Sequence, residues 1–285
     1  MPEGDTIFRT ARALGRALIG KQLTGFRSTY TFITRFDDDT PLMGQTVASV
    51  DSRGKWLLIH FSGGGTLATH MLMSGSWHIY RPGERWQRPR DHMRILLENS
   101  DYVAVGFSVP VAKMLRPQEL ERALRIPSGA IDVLSPEFDP VEVTARLGNQ
   151  QQDQIGDVLL HQGVIAGVGN VFKSEICFVT STSPFCKVVD LSPEKVAELI
   201  ATSRRLLKAN VLEDSGDQIV TFGGRHRRTT NQADPSASLW VYGRAGDPCR
   251  HCGERIRKRI QGFDARVTFW CPRCQPMPDG SDVDG

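Results

Sequence analysis

Four cysteines near the C-terminus constrain the fold of this chain more than any other feature. Cys249-x2-Cys252 and Cys271-x2-Cys274 form two short knuckles with 18 residues between them. That spacing suits four thiolates converging on one tetrahedral zinc, with the intervening chain folded back as a two-stranded ribbon. Disulfides are the alternative, but the chain reads as intracellular, where thiols stay reduced. Four thiolates close the tetrahedron and leave no position for water, so the single zinc expected here is structural. Cys177 and Cys186 stand apart from any ligand pattern and read as small buried apolar residues.

At 285 residues the chain is long enough for two domains. No apolar run could span a bilayer. Glu3, Asp5, Arg9, Arg12 and Arg16 interrupt any secretory pattern at the N-terminus. A soluble, cytoplasmic protein is expected, with no membrane partner. The net charge of +3 hides an uneven distribution. Arg225, Arg227 and Arg228 cluster with His226. Arg250, Arg255, Arg257, Lys258, Arg259, Arg266 and Arg273 crowd the cysteine region, opposed only by Glu254 and Asp264. Such a surface suits a polyanion, although each cluster alone could be a solvated face.

Apolar spacing predicts a helix over Thr6–Ile19, with Asp5 or Thr6 as N-cap and Gly20 as the stop. Residues 21–115 read mostly as strands, among them Gly44–Arg53, Lys55–Phe61, Gly65–Met71, Trp77–Tyr80, His92–Glu98 and Tyr102–Phe107, which suggests a β-sandwich or barrel. A Pro/Gly-rich connection follows. Beyond it the pattern is helical: Val141–Leu147, Ile155–Leu160, Gly169–Cys177 and Pro193–Leu212, the last capped by Ser192. The fold class is therefore α+β in two domains. An N-terminal helix plus a β-sandwich or barrel occupies residues 1–126 and a linker 127–140. A helical domain spans 141–238, with a mobile loop at 216–238. The zinc ribbon covers 239–275, and 276–285 form a disordered acidic tail.

Chemistry concentrates at the opening Met1-Pro2-Glu3-Gly4-Asp5-Thr6. Removal of Met1 would free the secondary amine of Pro2. An α-amino group titrates near ~8, against ~10.4 for lysine. An unprotonated amine can attack an electrophilic carbon and collapse to an iminium. Glu3 beside it can move protons. Taken alone, these residues could equally be a solvated turn. A second signal is Gln162-Gly163-Val164-Ile165-Ala166-Gly167-Val168-Gly169-Asn170, whose glycines allow tight turns and close helix approach. Asn170 and the main-chain N–H groups at the following helix start could hold a phosphate, or Asn170 could be a structural cap.

Taken together, Pro2-Glu3-Gly4, Arg53-Gly54-Lys55, His70-Met71-Leu72-Met73-Ser74-Gly75, Ala166-Gly167-Val168-Gly169-Asn170 and the ribbon resemble the formamidopyrimidine-DNA glycosylase / endonuclease VIII family. The matches run in family order over nearly the whole chain, and the opening looks most like the bacterial endonuclease VIII-like branch. The resemblance implies an N-terminal helix plus β-sandwich, then a helix–two-turn–helix domain with a zinc ribbon, and damaged DNA held between the domains of a monomer that is nucleoid-associated when on DNA. It implies a bifunctional glycosylase and abasic-site lyase acting on oxidised bases. Pro2 would attack C1′, Glu3 would donate a proton to the leaving base, and Lys55 would assist elimination and contact phosphate. Arg266 would grip phosphate at the lesion and Asn170 the backbone. Arg125 would match a DNA-contacting arginine of the endonuclease VIII branch.

Extruding a base requires filling the hole. Met73 is the candidate wedge, or else an ordinary core methionine. The Arg–Phe pair that formamidopyrimidine glycosylases carry on a strand loop is not evident in Val105–Ala112. That favours oxidised pyrimidines and tolerant context. The incomplete wedge triad suggests a preference for bubbles or single strands, and loop 216–238 could cap the flipped base. Two rivals remain: a non-catalytic zinc-ribbon DNA damage-binding protein of the same fold, and a zinc-ribbon RNA-binding protein. The second leaves the N-terminus unexplained.

Overall fold

The computed structural model describes residues 2–124, 128–212, 229–230 and 238–277. Arg125, the Arg225–Arg228 cluster, most of loop 216–238 and nearly all of the tail lie outside them. The chain divides into two compact units, the first made of residues 1–126 and 214–224 and the second of 127–213 and 225–285.

The first unit opens with helix α1 (Gly4–Leu18). Ile7, Ala11, Leu14 and Leu18 are buried along one face, as their spacing requires. The helix begins earlier than expected. Glu3 is the N-cap, and its carbonyl accepts the N–H groups of Thr6 and Ile7. Asp5 lies inside the first turn, buried and paired with Arg9 at 3.3 Å. It therefore contributes to the helix dipole rather than to the cap. The helix ends at Ile19, before left-handed Gly20.

Strand β1 (Gly25–Ser28) leads into helix α2 (Thr31–Asp39), in a region whose composition reads as strand. Thr31, Phe32, Ile33 and Thr34 favour strands by propensity, but Ile33 and Phe36 share one helical face. Ile33 is fully buried, so packing overrides propensity. Strands β2 (Val47–Arg53), β3 (Trp56–Phe61), β4 (Thr66–His70), β5 (Ser76–Tyr80), β6 (Met93–Glu98), β7 (Val103–Phe107) and β8 (Val111–Leu115) follow. They form two antiparallel four-stranded sheets, ordered β2-β3-β4-β8 and β1-β6-β7-β5. Leu57, Ile59 and Leu67 from one sheet and Ile79, Ile95 and Leu97 from the other share a core with α1. This is the expected β-sandwich with a helix. The short helix α3 (Leu120–Leu124) closes the unit.

The second unit has its own core. Ile131 and Val133, inside the stretch 127–140 expected as a linker, are fully buried in it. Helices α4 (Pro140–Gly148), α5 (Ile155–Val158), α6 (Asn170–Val179) and α7 (Pro193–Leu212) build the rest. Ser192 Oγ accepts from Lys195 N at 3.2 Å, the cap expected for α7. Strands β9 (Arg257–Gln261) and β10 (Arg266–Trp270) make the antiparallel ribbon hairpin. Cys177 is fully buried, as expected. Cys186 is only half-buried, with its thiol 3.6 Å from the Lys187 carbonyl. No helix among the described residues is long and apolar enough to cross a membrane.

Candidate functional site

In the first unit the candidate residues gather at one end of a sheet. Gly15 of α1 lies over Val50, and Ile19 bridges Val47. Helix and strand β2 therefore run in opposite directions. The first turn of α1, with Pro2 and Glu3 before it, points toward the Arg53 end of β2. That end carries the two-residue turn Gly54-Lys55, closed by the Arg53↔Trp56 pair. Gly54 supplies the positive φ (56°) such a tight turn demands. Lys55 is thus a turn residue, half-buried, and not the first residue of the strand.

Trp56 pairs in register with His70, the last residue of β4, and their rings meet edge-on at 5.1 Å. Burial, with the Lys55 ammonium adding to it, holds the His70 pKa below its ordinary value. His70 is therefore neutral at pH 7, and its Nδ1 accepts the Leu72 N–H at 3.2 Å. That bond fixes the loop carrying the candidate wedge. Leu72 has a positive φ of 43°, and Met73 is 69% exposed. The core alternative for Met73 is thereby removed. A Cβ on Gly75 would fall 2.8 Å from the Met71 carbonyl, so the loop closes only with glycine there. Ser74 Oγ donates to the Ser108 carbonyl at 3.2 Å, tying this loop to the β7–β8 connection. That connection is only Ser108–Pro110, leaving no room for an extended reading loop. Glu3 is fully buried and Pro2 half-buried.

In the second unit the glycine-rich segment forms the turn between α5 and α6. Gln162 holds it, donating to the Leu160 and Val168 carbonyls and accepting from Gly167 N. Gly167 has φ 97° and packs against Val133. Gly169 is the N-cap of α6 and Asn170 its first residue. The Asn170 amide donates to the Val267 carbonyl of β10 at 2.8 Å, and its buried Oδ1 has no hydrogen-bond partner. Asn170 thus binds the ribbon and sets neighbouring Arg266 beside the N-terminus of α6. Arg266 opens β10 opposite Gln261 and is half-buried.

Sequence reasoning gave no role to Lys173 or Glu175. Lys173, fully buried, donates to Thr268 Oγ1 at 2.5 Å. Thr268 donates to Gln261, and Gln261 to Gln154 and the Pro184 carbonyl. Glu175, also fully buried, accepts the backbone N–H groups of Trp240, Val241 and Tyr242. It accepts from the Thr229 hydroxyl as well. The available signal was charge inside an otherwise apolar helix, since buried charges are rarely left unpaired.

Cys249, Cys252, Cys271 and Cys274 converge, with all four Sγ atoms within 4.8 Å of one another. A zinc with Zn–S bonds near ~2.3 Å needs sulfurs roughly 3.8 Å apart. Two of the pairs stand at 4.0 and 3.4 Å. His251 N and Cys274 N point at Cys249 Sγ and Cys271 Sγ, at 3.4 and 3.5 Å, as donors to thiolates. The donor set fits a structural zinc.

Three family models match in order: the formamidopyrimidine-DNA glycosylase N-terminal domain over residues 1–108, its H2TH domain over 130–221, and the zinc finger found in FPG and IleRS over 246–276. The chain is 39% identical to a probable endonuclease 8 2 of Streptomyces coelicolor, over 98% of this chain and 95% of the relative. The chain belongs to the formamidopyrimidine-DNA glycosylase / endonuclease VIII family. Within that family it is also 35% identical to the DNA-(apurinic or apyrimidinic site) lyase Nei2 of Mycolicibacterium smegmatis, over 96% and 99% of the two chains. A Lactococcus lactis Fpg solved with abasic-site DNA shares the family fold with a TM-score of 0.76 at 21% identity, covering 97% of this chain and all of that one.

Proposed function

We propose that this chain is a base-excision repair enzyme, a bifunctional DNA glycosylase and abasic-site lyase, that acts on oxidised bases and prefers pyrimidines. The observation that carries the reading is the N-terminus: a proline able to present a free secondary amine, followed by a fully buried glutamate at the N-cap of α1. The amine lone pair of Pro2 attacks C1′ as the glycosidic bond breaks, and the base leaves with those bonding electrons and a proton from Glu3. The C1′–O4′ bond then breaks, the proton on the attached Pro2 nitrogen passes to O4′, and the open sugar is left as an iminium. The iminium acidifies C2′–H, and loss of that proton expels the 3′ phosphate by β-elimination. A second proton loss expels the 5′ phosphate where δ-elimination follows. Lys55 and neutral His70, at the same end of the sheet, supply a cation and an N–H for phosphate. Asn170 and Arg266 hold the backbone at the α6 N-terminus, where main-chain N–H groups favour an anion.

Met73 fills the gap left by the extruded nucleotide; its exposure on a hydrogen-bonded loop supports that role. The short Ser108–Pro110 connection supports tolerance of the opposite base, and the incomplete wedge triad around Met73 supports a preference for bubbles or single strands over paired duplex. The enzyme works as a monomer, inside the cell and on the nucleoid. Zinc, held by the four cysteines, supplies no chemistry to the reaction and fixes the ribbon that bears Arg266.

Borohydride trapping tests this reading. Untagged protein on DNA with one abasic site should give a covalent adduct that Pro2→Gly abolishes. Absence of an adduct from wild-type protein lacking Met1, with DNA binding intact, would leave the damage-binding alternative.

A further inference from the structure

The turn joining β9 to β10 carries Phe263, whose side chain is fully exposed. An aromatic ring of this size normally finds a partner, because its burial is among the largest apolar gains available to a side chain. Its surroundings are not those of a loose loop. Ala265 N donates to the Gly262 carbonyl at 3.1 Å, closing the turn. Gly262 (φ 72°) and Ala265 (φ 49°) both lie in the left-handed region. A Cβ on Gly262 would fall 2.1 Å from Asp157 Oδ1, so the turn is pressed against α5. The strands behind it are held by Asn170 to Val267 and by the Lys173–Thr268–Gln261 chain. Phe263 is therefore an exposed ring presented on a braced arm.

The chemistry around the ring selects its partner. Arg266 lies three residues on. Lys258 and Arg259 are exposed on the adjoining strand. Beside them Ile260, 66% exposed, pairs across the hairpin with Val267. Asp264 adjoins the ring and Asp157 of α5 lies against the turn, but Lys258, Arg259 and Arg266 outnumber them, and a flat ring with cations nearby suits a flat, neutral surface attached to phosphates. We infer that Phe263 is a DNA-binding residue that stacks on a nucleobase unstacked beside the lesion, while Arg266 holds the neighbouring phosphate. The inference rests on the DNA-repair reading above and deepens it. The ring selects DNA whose stack is already broken, because a base within an intact duplex offers no free face.

The test uses untagged full-length protein with its zinc. Affinity is measured for a duplex carrying one tetrahydrofuran abasic analogue and for the same duplex unmodified. Phe263→Ala should weaken binding to the abasic duplex by roughly five- to a hundredfold, the range for one base–aromatic stack. It should weaken binding to the intact duplex much less and leave the salt dependence unchanged, since stacking releases no counterions. Phe263→Trp should retain affinity and add an indole signal, relative to wild type, that DNA quenches. Unchanged affinity in Phe263→Ala, full affinity in Phe263→Leu, or an added indole signal that DNA does not quench would each overturn the inference. Borohydride trapping of the same proteins separates the two readings. Wild-type trapping with a silent Phe263→Ala removes only the stacking role. A wild type that neither traps nor prefers the abasic duplex removes the repair reading itself.

Discussion

His78 shows how one side chain makes stability depend on pH. It is fully buried, with Nδ1 2.9 Å from Tyr80 Oη, Nε2 3.0 Å from Ser76 Oγ, and its ring edge-on to Phe107. Burial, followed by the charge of Arg88, pushes its pKa down to about 3. In the unfolded chain the same imidazole titrates near ~6.5. Between these values the unfolded state binds a proton that the native state refuses. The contribution of His78 to stability is therefore whole above pH 6.5 and declines as the pH falls. The loss is about 1.4 kcal/mol per pH unit, or roughly 2 kcal/mol on going from pH 6.5 to 5. His60 and His70, whose pKa values burial also lowers, act in the same direction. Urea unfolding at pH 7 and pH 5 should show the decline, and His78→Gln should make it shallower although less stable at pH 7. An equal decline in the variant would exclude His78 as the source. Nothing local in Ser76-Trp77-His78-Ile79-Tyr80 marks this histidine as buried. Strand alternation puts positions 76, 78 and 80 on one face, but only the tertiary fold decides that Phe107 covers it. The roles proposed for Pro2, Glu3 and Lys55 rest instead on residue type and on place in the chain, which sequence states directly.

At the scale of elements, the ribbon hairpin is the piece least able to stand alone. Each of its strands has five residues, and an isolated two-stranded hairpin is marginal in water. It is held at one end by the four thiolates and along its length by Asn170, Lys173 and Ser174 of α6. Zinc removal should therefore melt the ribbon, release Arg266 and lower affinity for abasic-site DNA by at least about tenfold, while the helical circular dichroism signal largely persists. Chelation monitored by metal release, followed by a binding titration, checks this. Retained affinity after verified zinc loss would contradict it. The hairpin was readable from cysteine spacing, because thiolate geometry fixes the chain between the knuckles. Helix α2 was not readable, because Thr31, Phe32 and Ile33 carry strand propensity and only the packing of Ile33 and Phe36 selects a helix. The same limit hid the second duty of Asn170. Its position at the start of α6 was plain in sequence, but the Val267 carbonyl it binds lies 97 residues away.

Across the whole molecule the two cores divide the labour. The first unit carries the groups proposed to make and break bonds: Pro2, Glu3 and Lys55. The second carries those proposed to grip phosphate and base: Asn170, Arg266 and Phe263. The family motifs run along the chain in an order that marks both halves in sequence. Their convergence within each half does not show there, since it depends on α1 running against β2 and on α6 docking to β10. This division predicts that chemistry and binding can be separated by one covalent change. Extending the chain before Pro2 by two residues, Gly-Ser, turns its secondary amine into a tertiary amide with no nucleophilic lone pair, without altering any side chain. The borohydride adduct should vanish, and strand cleavage at an abasic site should fall by three orders of magnitude or more, since covalent catalysis is lost outright. Affinity for the tetrahydrofuran analogue should stay within about twofold, because phosphate contacts and their released counterions supply most of the binding. A zinc-replete protein extended in this way that still trapped on abasic DNA would place the nucleophile elsewhere, with the Lys55 amine next to be replaced. One that lost binding along with chemistry would show that the N-terminus, and not the second unit, dominates the hold on DNA.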